Sequence, residues 1–145
     1  YTAVNNIEFI CTKAINAVLN TDSIFSKTPN GELGIMLTTD EKMCFLNHQY
    51  RGKNEATNVL SFSSGLQKFE GVPYALGDIA IGYKITLDES VQKPIPFINH
   101  VQHLLIHGCL HLLAFNHQTS KEAEKMENIE ISILRGLGIP NPYQP

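Results

Sequence analysis

Apolar residues recur along this chain at intervals of three and four, which is the period of an amphipathic helix. The first such stripe covers residues 6–20 and predicts a helix there. The last stripe follows Thr119 and Glu122, whose spacing is that of a capping box, and it ends at Gly136 and Gly138. Its apolar members are Met126, Ile129, Ile133 and Leu137. The first and the last of the periodic segments are therefore predicted to be helices.

The most apolar segment lies between these two helices. After Pro94 and Pro96, residues 97–115 are apolar almost all the way round a helix. A helix of this kind has no face suited to water, so we expect it to be buried at the centre of the fold.

Strands are indicated by short apolar or alternating runs at 33–38, 57–62 and 77–83. A capping-box pair, Thr38 and Glu41, predicts a further helix ending near Gln49, and residues 63–75 show no period and are expected to form a loop. The mixture predicts one α/β (α+β) domain over residues 1–145, with a small, mostly parallel four-stranded sheet and about five helices. The sequence begins at Tyr1 and not at Met, so a first strand missing from its start is left open.

Composition narrows the class of protein. A length of 145 residues and a hydrophobic share of 43% suit a single buried core. The net charge of -3 argues against a domain-wide positive field for nucleic acid, but an enzyme that holds a few phosphates locally needs no such field. Three widely spaced cysteines among apolar neighbours suit reduced thiols, and no apolar run approaches the roughly 20 residues of a membrane span. We therefore expect a soluble cytoplasmic protein without a membrane partner.

Histidines carry the candidate chemistry. His103, His107 and His111 are spaced by four and share one face of the central helix, and His117 follows where the apolar run ends. Neutral imidazoles one helical turn apart can bind the same metal ion. A single buried histidine is more often satisfied by hydrogen bonds, but three at ligand spacing on an apolar helix predict a divalent-metal site of His107, His111 and His117, with one Zn²⁺ per chain. His103 is expected to support a ligand, or the fold, without binding the ion.

The spacing H-x3-H-x5-H equals that of the extended zinc-protease motif. In those proteases a glutamate follows the first histidine and acts as the general base, and a glycine permits the turn before the third. Here Gly108 and Ala114 stand at these two places. The metal geometry can therefore be shared while the protease chemistry is not.

Four ordered motifs resemble those of the YbeY family of bacterial rRNA maturation endoribonucleases. They are N-H-Q-Y-R at 47–51 with T-N-V-L-S-F at 57–62, L-G-D-I at 76–79, H-G-C-L-H-L-L-A-F-N-H at 107–117, and a tail with Met126, Glu130, L-G at 137–138 and N-P-Y at 141–143. The resemblance runs from the first helix to the C-terminus.

The resemblance implies a zinc-dependent endoribonuclease selective for single-stranded RNA, which works in small-subunit rRNA processing and ribosome quality control. It implies that His107, His111 and His117 bind the metal and that Arg51 is the functional basic residue beside it. A guanidinium can hold a phosphate through two hydrogen bonds and stabilise charge developing on it, which suits this role. The implied partners are single-stranded rRNA and the small ribosomal subunit with its proteins, and DNA is not expected.

Departures from the family pattern leave the general base unassigned. Asn116 stands where an aspartate usually precedes the third histidine, and Ala114 replaces the glycine of the turn. Asp78 is a candidate for supporting a metal ligand, although an aspartate at the start of a strand more often satisfies backbone groups.

Two rival functions stay open from the sequence. The first is a metal-stabilised ribosome-assembly factor with little cleavage activity of its own. Asn116, at the place of the usual aspartate, favours this alternative. The second is a zinc peptidase, which only the ligand spacing favours. Serine and cysteine hydrolases have less support, because Cys109 lies among apolar residues and no Gly-x-Ser-x-Gly segment is present.

Overall fold

The protein was analysed as a computed structural model, which describes residues 2–21, 31–63, 74–113, 115 and 117–144. Five helices and three strands lie in these ranges. In chain order they are α1 (Thr2–Leu19), β1 (Gly31–Thr38), α2 (Asp40–Arg51), β2 (Val59–Ser63), β3 (Tyr74–Gly82), α3 (Tyr83–Gln92), α4 (Phe97–Leu112) and α5 (Ser120–Gly136).

The described strands form a mixed sheet in the order β1-β3-β2. β1 runs parallel to β3, whereas β2 runs antiparallel to it. The α/β class is confirmed, but the predicted four-stranded, mostly parallel sheet is replaced, in the part of the chain that the structure describes, by three strands with one parallel and one antiparallel pair. Alternation of side chains along a strand shows which face is buried but contains no information on strand direction, so the antiparallel pairing of β2 could not be predicted from its sequence.

Helix α4 lies at the centre of the core, as its composition predicts. Leu105, Ile106 and Leu110 are fully buried, and their neighbours in the core come from α1, β3 and α5. The helix ends at Leu112, not at Phe115, and the Leu113 N–H closes it by bonding the Cys109 and Leu110 carbonyls. The main core therefore surrounds the helix that bears the histidines.

The helix starts were predicted with mixed success. Thr119 and Glu122 form the expected capping box at the start of α5. At the start of α2 the cap is Thr39, which accepts from the Lys42 N–H, so the predicted Thr38–Glu41 pair was wrong by one residue. Helix α3 was missed altogether, because its ten residues have weak apolar periodicity and include β-branched side chains such as Ile85 and Thr86.

The predicted loop at 63–75 is shorter than expected where it can be judged. Ser63 still belongs to β2, and β3 already begins at Tyr74, while residues 64–73 lie outside the described ranges. Among the described residues, no helix combines the length and the apolar character needed to cross a membrane.

Candidate metal centre

The three predicted ligands lie together. His107 and His111 lie one turn apart on α4, and His117 comes from the segment between α4 and α5. One ligand atom from each of the three lies within 4.8 Å of the others. The first two side chains are partly buried, whereas His117 is exposed, so the site opens to solvent on the His117 side.

The hydrogen bonds of the rings show which nitrogens are available for an ion. His107 Nδ1 donates to Glu130 Oε1 at 2.6 Å, and His111 Nδ1 donates to the Phe115 carbonyl at 3.1 Å. Each ring therefore has a proton on Nδ1, which leaves Nε2 as the nitrogen available for an ion, and the two Nε2 atoms lie 3.1 Å apart. Two lone pairs facing each other repel unless a cation lies between them. Two nitrogens bound to one tetrahedral zinc ion would be about 3.3 Å apart, so the donor set fits such an ion.

His111 is held in the ligand-competent form. Burial, together with His107, His117 and the positive charge of Arg51, lowers its pKa to about 4, against the opposing effect of its hydrogen bond to the Phe115 carbonyl. The ring is therefore neutral near pH 7, which is the form that binds a metal.

Glu130 of α5 holds His107 from behind. The residue is fully buried, and its second oxygen accepts the Tyr143 hydroxyl at 2.5 Å. Burial alone would raise the pKa of this carboxyl, but the neighbouring donors His103, His107 and Tyr143 outweigh burial and lower the pKa to about 2. Glu130 is therefore a carboxylate, the usual partner of a metal-binding histidine.

Sequence reasoning gave Glu130 no role, although a signal was present. The residue follows Met126 by four and precedes Ile133 by three, so it lies on the apolar stripe of its helix. A carboxylate on a buried stripe needs a partner.

A cavity of about 360 Å³ lies against the metal centre. Its lining residues are His107, His117, Ala123, Met126, Glu127, Glu130 and Tyr143. Glu127 is partly buried, and among the described residues its carboxylate has no hydrogen-bond or ion-pair partner. The cavity therefore contains one carboxylate engaged by donors and one without a partner among the described residues.

The two other candidates differ in their positions. Arg51 is the exposed last residue of α2, and its charge contributes to the lowered His111 pKa, so it acts electrostatically on the centre. Asp78 is exposed on β3 and lines a different cavity with Tyr50 and Phe62. The structure does not bring Asp78 to the three histidines.

Gly108 faces away from the metal centre. A Cβ built on it would lie 2.9 Å from Ser61 Oγ and 3.2 Å from Ile79 Cδ1, so this side of α4 packs directly on the sheet. The position at which zinc proteases have their glutamate thus has no room for one here. The two other departures, Ala114 and Asn116, lie outside the described residues.

Comparison with known proteins gives a family match over most of the chain. A family model described as "Endoribonuclease YbeY" matches residues 2–138. The chain is also similar to curated proteins of that name. One from Rhodopseudomonas palustris is 44% identical over 124 residues, which cover 84% of this chain and 65% of that protein.

Two further relatives give the same result. A protein of the same name from another strain of Rhodopseudomonas palustris is 41% identical over 150 residues, covering 99% of this chain and 76% of that protein. One from Nitrobacter hamburgensis is 46% identical over 122 residues, which cover 81% of this chain and 64% of that protein. The chain spans less than two thirds of the length of two of these three relatives.

The fold also has a counterpart among solved structures. The solution structure of TM1509 from Thermotoga maritima matches with a TM-score of 0.56 and 19% identity, over 100% of this chain and 95% of the other. At this identity the match concerns the fold alone.

Proposed function

This chain belongs to the YbeY endoribonuclease family, and from that membership and the geometry of its metal centre we propose that it is a zinc-dependent endoribonuclease. Its substrate is single-stranded RNA, and it works in the maturation of small-subunit rRNA and in ribosome quality control. Its partners are the small ribosomal subunit and its proteins, in the cytoplasm.

The observation that best supports this proposal is the pair of Nε2 atoms of His107 and His111, which face each other at 3.1 Å while both Nδ1 atoms donate elsewhere. His117 completes a set of three imidazole ligands, the number usual for a catalytic zinc site. A bound zinc ion would supply Lewis-acid activation of water and of a phosphodiester.

Arg51 binds the phosphate. Its guanidinium is exposed and acts electrostatically on His111, and it can donate two hydrogen bonds to one phosphate. As the phosphodiester is attacked, negative charge grows on its oxygens, and a fixed cation beside them stabilises that charge. With a net charge of -3 on the whole chain, phosphate recognition rests on such local residues.

Glu127 accepts the proton of the attacking water. It lines the same cavity as His107 and His117, and its carboxylate is not engaged by any described residue. Glu130 is unsuited to this step because both of its oxygens already accept hydrogen bonds. In zinc proteases the general base is the glutamate after the first histidine. Here Glu127 of α5 takes that role.

The proposal is tested by cleavage of an end-labelled single-stranded RNA with zinc-loaded protein. His111→Ala and added chelator are expected to abolish cleavage, and Arg51→Ala to lower the rate roughly 10²- to 10³-fold. Matched controls are His48→Ala and Arg135→Ala, which remove exposed residues of the same types outside the centre and are expected to cleave normally. Arg51→Lys keeps the charge without the paired hydrogen bonds and is expected to lie between wild type and Arg51→Ala.

A different outcome would redirect the proposal. If the protein binds one zinc ion per chain and binds RNA or ribosomal subunits, yet leaves every RNA intact, the nuclease proposal is wrong and the assembly-factor alternative takes its place. Hydrolysis of casein that depends on His111 would favour the peptidase alternative.

A further inference from the structure

The C-terminal tail returns to the metal centre. Ile139 is buried in the main core, and the Tyr143 N–H donates to Asn141 Oδ1 at 2.8 Å, which shapes the turn. The Tyr143 ring is 42% exposed, but its hydroxyl points inward to Glu130. The tail therefore reaches the residue that holds a metal ligand.

The hydrogen bonds of Glu130 place Tyr143 and His107 on opposite ends of one carboxylate. Oε1 accepts from His107 Nδ1 at 2.6 Å, and Oε2 accepts from the Tyr143 hydroxyl at 2.5 Å. His103 Nε2 lies 3.2 Å from the same hydroxyl and 3.7 Å from Oε1. Because Glu130 is 0% exposed, its oxygens depend on these protein donors.

We propose that Tyr143 is a positioning residue for the metal ligand His107, acting through Glu130. This inference rests on the proposed metal function and adds to it the role of the tail. The Tyr143 hydroxyl fixes the rotation of the Glu130 carboxylate, and the fixed Oε1 keeps the His107 proton on Nδ1. Nε2 of His107 thereby stays available to bind an ion beside His111 Nε2.

The size of the effect of losing the Tyr143 hydroxyl depends on how few other donors the Glu130 carboxylate has. A buried carboxylate that loses one of two donors either leaves an oxygen unsatisfied or rotates toward the remaining donors. Rotation of Glu130 lengthens its 2.6 Å bond to His107. Loss of a group that orients a metal-binding histidine typically weakens metal binding by about 10- to 100-fold.

His103 acquires a role in the same arrangement. Its ring meets the Tyr143 ring edge-on, with centroids 5.4 Å apart and an interplanar angle of 89°. This contact holds the phenol in place while its hydroxyl bonds Glu130. His103 thus supports the network without belonging to the three ligands, which are the histidines that converge.

The test uses the full chain and the variants Tyr143→Phe and Glu130→Gln. The matched control is Tyr83→Phe, since the Tyr83 ring packs on Phe97 and its hydroxyl has no partner in the described part of the chain. The first readout is the tautomer of His107 in metal-free protein, measured by ¹⁵N NMR of labelled histidine. The second is the zinc dissociation constant, measured by competition with a chromophoric chelator.

For Tyr143→Phe we expect a smaller fraction of Nδ1-protonated His107 and a zinc dissociation constant raised about tenfold, with a larger rise of up to about 100-fold for Glu130→Gln. Tyr83→Phe is expected to match wild type in both readouts. If Tyr143→Phe lowers only the thermal stability, and both readouts equal those of Tyr83→Phe, the tail is merely structural and the inference is wrong. Failure of wild type to bind zinc would overturn the proposed function instead, and the tautomer measurement would still decide the role of Tyr143.

Discussion

The Ser61 hydroxyl donates a 3.2 Å hydrogen bond to the Gly108 carbonyl, which joins β2 to the middle of α4. The contact is this close because residue 108 has no side chain. A Cβ there would lie 2.9 Å from Ser61 Oγ, which is nearer than real Cβ atoms come to a neighbour. Gly108 therefore sets the distance between the sheet and the helix that bears two of the three histidines.

Gly108→Ala is expected to destabilise the fold by about 1–3 kcal/mol, because overpacking moves α4 or distorts Ser61 and Ile79. Gly136→Ala is the control: it lies in a helix too, but a Cβ there meets nothing within 4 Å. The gain in helix propensity should then raise the stability of this variant by up to about 1 kcal/mol, because no clash opposes it. Urea unfolding of both variants measures the difference, and equal stability changes would show that the contact is looser than described.

Glu127→Gln is expected to slow RNA cleavage by about 10²- to 10⁴-fold, because the amide cannot accept the proton of the attacking water. Zinc affinity and RNA binding should stay near those of wild type, since Glu127 orients no ligand. Glu124→Gln, one turn earlier on the same helix and exposed, should cleave normally. Single-turnover assays separate the chemical step from binding. An unchanged rate for Glu127→Gln would remove it from the mechanism.

The metal-free protein is expected to lose stability as the pH falls from about 6.5 toward 4. Burial and its neighbours lower the His111 pKa to about 4, whereas an unfolded histidine titrates near 6.5. The unfolded state therefore binds more protons in this window, so the contribution of His111 to stability is complete above the window and is lost across it as the pH falls. Thermal unfolding in chelator at a series of pH values measures the slope. His111→Asn should flatten it, and an unaltered slope would assign the effect to other groups.

Thiol reagents should distinguish the three cysteines. Burial raises the Cys109 pKa to about 12, and burial followed by the negative charge of Glu8 raises the Cys11 pKa. Since the thiolate is the reactive form, both should resist alkylation at pH 8, while the partly exposed Cys44 reacts. Intact-mass measurement should show one modification in the folded protein and three after denaturation. Rapid modification of Cys109 would show that α4 opens readily.

The local features of this fold could be predicted from the sequence, but most of the contacts that join them could not. Periodicity predicted α4 and α5, and the spacing of His107, His111 and His117 predicted a group that the structure brings together. The antiparallel direction of β2 depends on its partner, and no residue within β2 records it.

Contacts between distant segments were even harder to predict from the sequence. The hydrogen bonds that join His107, Glu130 and Tyr143 connect residues that are 23 and 13 positions apart. Packing of α4 on α5 and the return of the tail create them, and neither has a local pattern. The charge of Glu130 on an apolar stripe hinted that such a partner existed, and the motif of the tail contains both Glu130 and Tyr143.

The unequal exposure of the three histidines bears on how an ion would arrive and leave. His107 and His111 are held by one helix and by hydrogen bonds at their far nitrogens, so they form a ready pair before any ion comes. His117 is exposed and lies beyond the end of that helix. An arriving ion would therefore find two of its three ligands already oriented by the fold, with the third at the solvent side of the site. On the solvent side, the coordination of such an ion would therefore depend on His117 alone among the three histidines.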